Sequence, residues 1–214
     1  MKRVPDDVVR RLPLYLRALD DMHERGEERV SAGQLCRQLG LEPFQFRQDM
    51  GWFGEFTQLG FALDIDESRK EIGRILGTYD ELSAILVGPG KIGSALLENF
   101  AFIVNGYDFL GAFDNDPKRI GTEIAGVPVY DIAGLGDFVR EHKVDIAILT
   151  IPRGPAQQVT DTLVDSGIQA IWNFTNSDLN VGDSGVLVEN VHFSDSLLTL
   201  NYYLAQKKAA DSVS

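Results

Sequence analysis

Three glycines at positions 88, 90 and 93 form a Gly-x-Gly-x-x-Gly sequence, the pattern in this chain best suited to binding an anion. The apolar residues 85–87 precede it, and apolar residues at helical spacing follow it. This order predicts a buried parallel strand, a tight turn and a helix whose N-terminus faces the ligand. The backbone N–H groups and the positive end of the helix dipole would then bind a diphosphate. The residues expected to contact it are Gly88, Pro89, Gly90, Lys91, Ile92 and Gly93.

Asp114 is the residue predicted to bind the adjoining sugar. It ends a second apolar run, 109–113, about twenty residues after the glycine loop, where a carboxylate typically binds the adenosine ribose, and Asn115 lies beside it. Asp116 precedes a proline and is typical of a helix cap. No arginine directly follows Asp114, which favours NAD(H) over NADP(H). Because Lys118 and Arg119 follow a few residues later, NADP(H) stays an alternative.

Strands and helices alternate after the glycine loop, which predicts an α/β fold with a doubly wound parallel sheet and right-handed crossovers. Ligands of such sheets bind beyond the carboxyl ends of the strands. The residues expected there, bordering a nicotinamide, are Thr150, Ile151, Pro152, Asn173 and Phe174. An ordinary loop or cap role suits each of them equally well.

The N-terminal residues predict a small helical module. A first helix reaches about Glu24 with a kink at Pro13, Ser31 begins a second helix with a capping box, and Pro43 opens a third that runs to about Gly54. Two short helices joined by a tight turn are typical of a helix-turn-helix, whose second helix enters the DNA major groove. A plain three-helix bundle fits the same spacing.

Residues 55–65 predict a short hairpin, at the place of a wing. Asp66 is expected to cap a fourth helix that closes at Gly77, and residues 78–81 are expected to link this module to the nucleotide domain.

The charge and the cysteine and histidine content indicate which kinds of binding site the chain is not expected to have. The net charge is −12, divided into −2 over residues 1–78 and −10 over residues 79–214, which argues against broad nucleic-acid binding. The single cysteine, Cys36, forms no internal disulfide and is expected in the core, and the three scattered histidines predict no metal site. Neither a membrane-length apolar run nor a signal peptide is recognisable, so we expect a cytoplasmic protein.

The C-terminal residues predict an apolar helix from Ser194 to about Lys207, too apolar to face water. Burial against a second copy of the chain is the economical explanation. No proton relay and no substrate domain are recognisable, so the chain is not expected to be an enzyme, and an NAD-dependent dehydrogenase is the weakest alternative.

In these features the chain resembles the redox-sensing transcriptional repressor Rex family. The segments that carry the resemblance follow one another over nearly the whole chain: RLPLY at 11–15, RVS at 29–31, LG at 39–40, QFRQD at 45–49, FGEF at 53–56, the glycine loop, AFDNDP at 112–117, ILTIP at 148–152, NF at 173–174 and VENV at 188–191.

The resemblance implies a winged helix-turn-helix domain over 1–80, a Rossmann NAD(H)-binding domain over 81–192 and a swapped dimerisation helix and tail over 193–214. It implies a homodimer that represses by binding operator DNA when NAD⁺ prevails and is released by NADH. The DNA-binding residues it implies are Arg11, Gln45, Arg47, Gln48 and Gln58.

Several positions depart from the family pattern. Gln48 replaces a usual lysine, and residues 57–63 lack the cations usual in the wing, so two or more cationic contacts per subunit are lost. Four lost phosphate contacts per dimer correspond to roughly three orders of magnitude in affinity at ~0.15 M salt. Phe100 and His192 stand where a Tyr–Asp pair is usual in the family. If that pair senses the redox state of the nicotinamide, this chain must sense it through other residues or not at all. The alternative function is therefore a Rex-like NAD(H)-binding paralogue that acts through protein partners.

Overall fold

The computed structural model describes residues 3–54, 62–99 and 106–211, and the chain folds as two compact units, Met1–Asp80 and Glu81–Ser214. The wing candidates at 55–61, Gln58 among them, and Phe100 lie outside the described residues.

Over residues 3–54 and 62–80, the first unit contains four α-helices and a two-stranded sheet. Its elements in chain order are α1 (Asp6–Glu24), β1 (Arg29–Val30), α2 (Ala32–Gln38), α3 (Gln45–Met50), a 3₁₀ turn (Gly51–Phe53), β2 (Leu63–Asp64) and α4 (Ile65–Leu76).

Local signals account for several of these boundaries. The Ser31 hydroxyl accepts a hydrogen bond from the Gln34 N–H at 3.1 Å while the Gln34 side chain accepts one from the Ser31 N–H at 3.2 Å, so the predicted capping box is confirmed. Gly77, in the left-handed region at φ +70°, ends α4 as predicted. Pro13 lies inside α1, which continues through it to Glu24.

Two predicted boundaries in this unit were wrong. Pro43 lies in a turn and α3 begins two residues later, at Gln45. Asp64, rather than Asp66, caps α4, because its side chain accepts the Glu67 N–H at 3.0 Å.

β2 does not pair within a local hairpin among the described residues. Leu63 and Asp64 pair antiparallel with Val30 and Arg29, so the strand that precedes α2 is the partner of β2. Leu63 is buried in the core of the unit with residues from all four helices.

The second unit is built on a seven-stranded sheet. Its strands are β3 (Leu82–Val87), β4 (Tyr107–Asp114), β5 (Glu123–Ile124), β6 (Val127–Asp131), β7 (Ile146–Leu149), β8 (Ala170–Asn173) and β9 (Leu187–Asn190). The order is β5-β6-β4-β3-β7-β8-β9, and every pairing is parallel except that of β5 with β6. The six parallel strands therefore follow the Rossmann order, in which the direction reverses beside β3, and the predicted fold class is confirmed.

Helices connect these strands: α5 (Lys91–Asn99), α6 (Leu135–His142), α7 (Arg153–Asp165) and, after β9, α8 (Phe193–Asp211). The helix expected to begin after Asp116 was wrong, because a turn over 117–120 stands in its place. The antiparallel edge strand β5 was not predicted. The short β5 pairs closely with β6 through a turn at Ala125 and Gly126, both at positive φ.

Apolar side chains fill both faces of this sheet. Ile85, Val87 and Leu149 pack on one face, and Leu86, Ala112 and Ile148 pack on the other. This alternation follows from the two-residue period of a strand buried on both faces. Within the described residues, no helix combines the length and the apolar character that a membrane span requires.

Candidate functional site

The candidate nucleotide site lies at the carboxyl edge of the sheet of the second unit. Val87 pairs with both Phe113 and Leu149, and Leu149 pairs with Asn173, so four parallel strands end in register. The residues that follow these ends must therefore lie along one edge, which is where parallel sheets bind ligands.

Gly88 makes the turn out of β3. Its φ is +85°, and an added Cβ would lie 2.5 Å from Ile151 Cγ2. Its N–H donates to the Phe113 carbonyl at 2.8 Å, which holds the turn against β4. Only glycine combines this backbone conformation with this close approach.

Gly93 lets α5 lie directly against the sheet. A Cβ there would be 2.6 Å from the Gly88 carbonyl oxygen and 2.6 Å from Thr150 Oγ1, and 2.9 Å from Leu86 Cδ2. Thr150 Oγ1 in turn donates to the Gly88 carbonyl at 2.6 Å, so the side chain at the end of β7 fixes the loop.

Gly90 differs from the other two glycines. Its φ is not positive, and the nearest atom to an added Cβ is the Gly88 carbonyl oxygen at 3.9 Å. The fold itself therefore has room for a side chain at this position. This open space agrees with the prediction that glycine is needed at position 90 for close approach of a diphosphate.

The first turn of α5 carries the backbone groups that were predicted to bind an anion. The helix begins at Lys91, and helix geometry leaves its first N–H groups without an intrahelical acceptor. Ser94 Oγ donates to the Pro89 carbonyl at 3.0 Å and steadies the loop. Lys91 and Ile92 are exposed beside these N–H groups.

The two carboxylate oxygens of Asp114 have different surroundings. Oδ1 accepts the N–H groups of Asn115 at 2.7 Å and of Asp116 at 3.0 Å. Oδ2 lies 3.7 Å from Arg119 Nε, and the side chain is 14% exposed. Asp116 caps the following turn by accepting the Lys118 N–H at 3.0 Å, as its sequence position suggested.

The other predicted residues at this edge divide into loop-building and accessible groups. The Asn173 amide donates to the Ser177 carbonyl and to Asn190 Oδ1, both at 2.7 Å, and its oxygen accepts from Thr175. Phe174 is buried, with its ring 4.6 Å from that of Trp172. Both thus stabilise the edge itself, whereas Thr150 and Ile151 are half-buried and Pro152 is exposed.

The candidate DNA-binding surface is the outer side of α3. Arg47 and Gln48 are exposed there, and two aromatic side chains flank them, Phe44 at 55% and Trp52 at 43% exposure. Sequence analysis overlooked Trp52, whose exposure depends on the 3₁₀ turn that follows α3.

A buried carboxylate holds the inner side of α3. Asp49 accepts two hydrogen bonds from Arg11, at 2.6 and 2.9 Å, one from Tyr15 at 2.7 Å and one from Gln45 at 2.9 Å. Arg11 also pairs with Asp7 at 3.0 Å. Arg11 and Tyr15 thus hold α3 against α1, and Gln45 supports the same carboxylate from within α3. Arg11 and Gln45, both expected to contact DNA, are half-buried at this cluster.

These contacts determine the protonation of the cluster. Burial would raise the pKa of Asp49, but the hydrogen bonds from Arg11, Tyr15 and Gln45 outweigh it and lower that pKa below its ordinary value. The hydrogen bond to Asp49 raises the pKa of Arg11. Burial, followed by the hydrogen bond to Asp49, raises the pKa of Tyr15. Asp49 is therefore ionised and Tyr15 neutral at pH 7.

Sequence reasoning did not identify the role of Asp49 or of Arg119. Arg11 and Asp49 are 38 positions apart, and Arg119 reaches Pro89 over 30 positions. No local spacing rule connects residues so far apart. No group of three or more His, Cys, Asp or Glu residues suited to a metal ion occurs among the residues that the structure describes.

Two family models match the chain. The model described as "Putative DNA-binding protein N-terminus" matches residues 3–51, and the model described as "CoA binding domain" matches residues 80–177. The redox-sensing transcriptional repressors Rex of Thermoanaerobacter sp. and of Clostridioides difficile are each 39% identical to this chain. The first comparison covers 94% of this chain and 89% of the relative, and the second covers 97% and 98%.

Solved structures are similar over the whole chain. The crystal structure of RSP in complex with β-NADH has a TM-score of 0.90 and 35% identity and covers 100% of both chains. The structure of RSP in complex with β-NAD⁺ and operator DNA has a TM-score of 0.88 and 37% identity, with 100% of this chain and 98% of the other covered. RSP is described as a Rex-family repressor.

The two loop glycines are expected to respond differently to substitution. Gly93→Ala should lower the free energy of unfolding by roughly 2 kcal/mol, because its Cβ would overlap backbone and side-chain atoms of a packed site. Gly90→Ala should change it by less than about 0.5 kcal/mol. Thermal unfolding without nucleotide measures both. Equal destabilisation would contradict the assignment of Gly90 to the ligand.

The Asp49 cluster is expected to stabilise the first unit. Asp49→Ala should lower the free energy of unfolding by about 3 kcal/mol at pH 7, because it leaves the Arg11 guanidinium, 19% exposed, without its main partner. The folded-state pKa of Asp49 is lowered, so this stabilisation is present above the ordinary pKa of about 3.9 and is lost as the pH falls below it. The deficit of the variant should therefore shrink at pH 3.

Denaturant unfolding followed by Trp52 fluorescence in a Trp172→Phe background isolates the first unit, since the chain has 2 tryptophans. Asp7→Ala is the matched control. Its carboxylate pairs with the same Arg11 but is 69% exposed, so the loss should stay below about 1 kcal/mol. Equal losses in both variants would rule out the buried cluster as the cause.

Proposed function

The chain belongs to the Rex family of redox-sensing transcriptional repressors, and on that basis we propose that it binds operator DNA and releases it when NADH rises relative to NAD⁺. Relatives in this family are transcriptional repressors, so the chain is not an enzyme. The observation that carries the proposal is whole-chain similarity to one repressor solved both with β-NADH and with β-NAD⁺ and operator DNA. A repressor of this kind works in the cytoplasm, where the DNA of a bacterium lies.

NAD(H) is the proposed ligand of the second unit. The open space at Gly90, the N-terminal N–H groups of α5 and the Oδ2 oxygen of Asp114 fit the diphosphate and adenosine ribose of a dinucleotide. The nicotinamide supplies the redox difference that is sensed. The residues proposed to border it are Thr150, Ile151 and Pro152, with Asn173 and Phe174 shaping the wall behind them.

Operator DNA is the proposed ligand of the first unit. Arg47 is suited to a guanine edge or a phosphate, and Gln48 is suited to an adenine edge. Both are exposed on the side of α3 that faces away from Asp49. Arg11 and Gln45 contribute to DNA binding indirectly, because their hydrogen bonds to Asp49 orient α3. Gln58 is proposed as a DNA contact from its sequence position in the wing segment alone.

A homodimer formed through α8 is the proposed assembly. Every described residue of α8 is exposed in the single chain, including Leu197 at 61%, Leu198 at 64% and Tyr203 at 63%. Full burial of one such side chain contributes roughly 1.5–3 kcal/mol, so covering several of them outweighs the cost of association. Exchange of the terminal helix with a second copy covers them without any change to either sheet.

The dimer makes the two ligands interdependent. If NADH binds one arrangement of the two subunits more tightly than the other, and DNA binds the second arrangement, then each ligand weakens the other. A hundredfold difference in NADH affinity between the two arrangements corresponds to about 2.7 kcal/mol. We propose that this difference drives release from the operator.

A second candidate function is an NAD(H)-binding dimer that no longer binds DNA specifically. The observation that favours it is the role of Arg11 and Gln45 inside the first unit, together with Gln48 and the wing sequence. Such a protein would keep the nucleotide site and the dimer and act through protein partners.

Operator binding that responds to NADH is the expected outcome. Fluorescence polarisation with a duplex carrying a Rex operator, in 50 mM and 150 mM salt, should show binding that NADH weakens and NAD⁺ does not. Gly90→Ala is the matched control, because it should fold and bind the duplex but no longer respond to NADH. A scrambled duplex of equal length measures the non-specific part.

Two results would reject this proposal. Equal binding of operator and scrambled duplex in 50 mM salt, with NADH binding retained in isothermal titration, would establish the second candidate instead. Operator binding unaffected by NADH in the unsubstituted protein would exclude redox sensing.

Dimerisation through α8 is expected to depend on its apolar side chains. The double substitution Leu198→Glu and Leu204→Glu should convert a dimer into a monomer at micromolar concentration, measured by light scattering after gel filtration. Both residues are exposed in the single chain, so the circular dichroism spectrum should change little. Lys207→Glu, on the same helix, should stay dimeric. A dimer that survives the double substitution would place the interface elsewhere.

A further inference from the structure

Arg119 connects two separate parts of the candidate nucleotide site. Its Nη1 donates a hydrogen bond to the carbonyl of Pro89 in the glycine loop. Its Nε lies 3.7 Å from Oδ2 of Asp114 at the end of β4. The side chain is 39% exposed, so the guanidinium lies at the surface of the site, against its backbone.

The position of Arg119 coincides with the free oxygen of Asp114. Oδ1 is occupied by the N–H groups of Asn115 and Asp116. Within the described residues, Oδ2 accepts no hydrogen bond, because 3.7 Å from Arg119 Nε is too long for one. Oδ2 is thus the oxygen left for ribose hydroxyl donors, and the Arg119 guanidinium forms an ion pair with it at 3.7 Å.

The surrounding charge makes this cation important for an anionic ligand. Residues 79–214 carry 8 Lys and Arg against 18 Asp and Glu. Asp114 itself would repel any phosphate placed on the adenosine ribose. Arg119 offsets the charge of Asp114 through their ion pair, and it donates its hydrogen bond to the glycine loop at Pro89.

We propose that Arg119 is a specificity-determining residue at the adenosine end of the nucleotide site. It stabilises the arrangement of Asp114 and the glycine loop, which binds any adenine dinucleotide. It also determines how much weaker a dinucleotide with a 2′-phosphate on the adenosine ribose binds than one without it. The inference depends on the proposed nucleotide site. The adenosine half is identical in NADH and NAD⁺, so Arg119 contributes equally to both and leaves their ratio unchanged.

Substitution separates the geometric role from the charge. Arg119→Gln should weaken NADH, NAD⁺ and ADP-ribose by about tenfold each, the usual effect of losing one charge-assisted hydrogen bond. NADPH should weaken by about a further tenfold, because its 2′-phosphate then faces Asp114 without a nearby cation. Arg119→Lys keeps the charge but loses the planar fork, so it should weaken all four nucleotides and preserve the NADPH to NADH ratio.

Isothermal titration of the full chain with these four nucleotides is the test. Lys118→Gln is the matched control, since it removes the same charge one residue away and should leave all affinities within about twofold. Thermal unfolding without nucleotide checks the fold of each variant. If Arg119→Gln does not fold, the comparison of Arg119→Lys with Lys118→Gln gives the answer, because only the former should lose affinity uniformly.

Two outcomes would overturn the inference alone, provided that the unsubstituted chain binds NADH. One is an Arg119→Gln variant with undiminished NADH affinity, and the other is an NADPH to NADH ratio that this substitution leaves unchanged. Absence of NADH binding by the unsubstituted chain would instead reject the proposed function, and this inference with it.

Discussion

The contact between the glycine loop and the end of β7 is the constraint on which the second unit depends. Thr150 Oγ1 donates to the Gly88 carbonyl at 2.6 Å, and Gly93 lies so close to both groups that no side chain fits there. This closeness sets α5 directly on the sheet and directs its first N–H groups toward the carboxyl edge. Gly88 and Gly93 are required by the protein itself, whereas Gly90 is not. This difference agrees with the proposal that Gly90 is the glycine that lies against the nucleotide.

A buried carboxylate has the corresponding role in the first unit. α3 has six residues, too few for a helix to be stable without tertiary contacts. Asp49 supplies such contacts by accepting hydrogen bonds from Arg11 and Tyr15 of α1, while Gln45 of α3 itself donates a further one. Since buried ion pairs are often no more stabilising than apolar packing, the distinctive effect of this cluster is to fix the rotation of α3. That rotation leaves Arg47 and Gln48 on the exposed side.

The features that the sequence predicted correctly have local signals. The capping box at Ser31 needs four residues, the glycine loop needs six, and the alternation of strands and helices implies parallel strands with one handedness of crossover. The wrong boundary of α4 occurred where two neighbouring residues carry the same signal. Asp64 and Asp66 are both acidic residues at a helix start, and only the hydrogen bond to Glu67 N–H distinguishes them.

The unpredicted features depend on contacts between distant residues. The two-residue strand β1 has no periodicity of its own, and its pairing with β2 is visible only in the fold. The family resemblance implied that Arg11 contacts DNA, and nothing near Arg11 in the sequence indicates its hydrogen bonds to Asp49. The same holds for Arg119 and Pro89.

Charge distribution limits how tightly such a chain holds DNA. Residues 79–214 carry a net charge of −10, and residues 1–78 are nearly neutral at −2. At physiological salt the Debye length is about 8 Å, so the acidic unit is screened from the phosphates unless it approaches closely. On the proposed DNA-binding surface, attraction would then come from a few short contacts of α3 and of the basic side chains near it. Specific DNA binding of that kind exceeds non-specific binding by about 4–10 kcal/mol, and near the lower limit a nucleotide preference of a few kcal/mol is enough to release the operator. Weak DNA contacts and an effective nucleotide switch are therefore compatible properties of one chain.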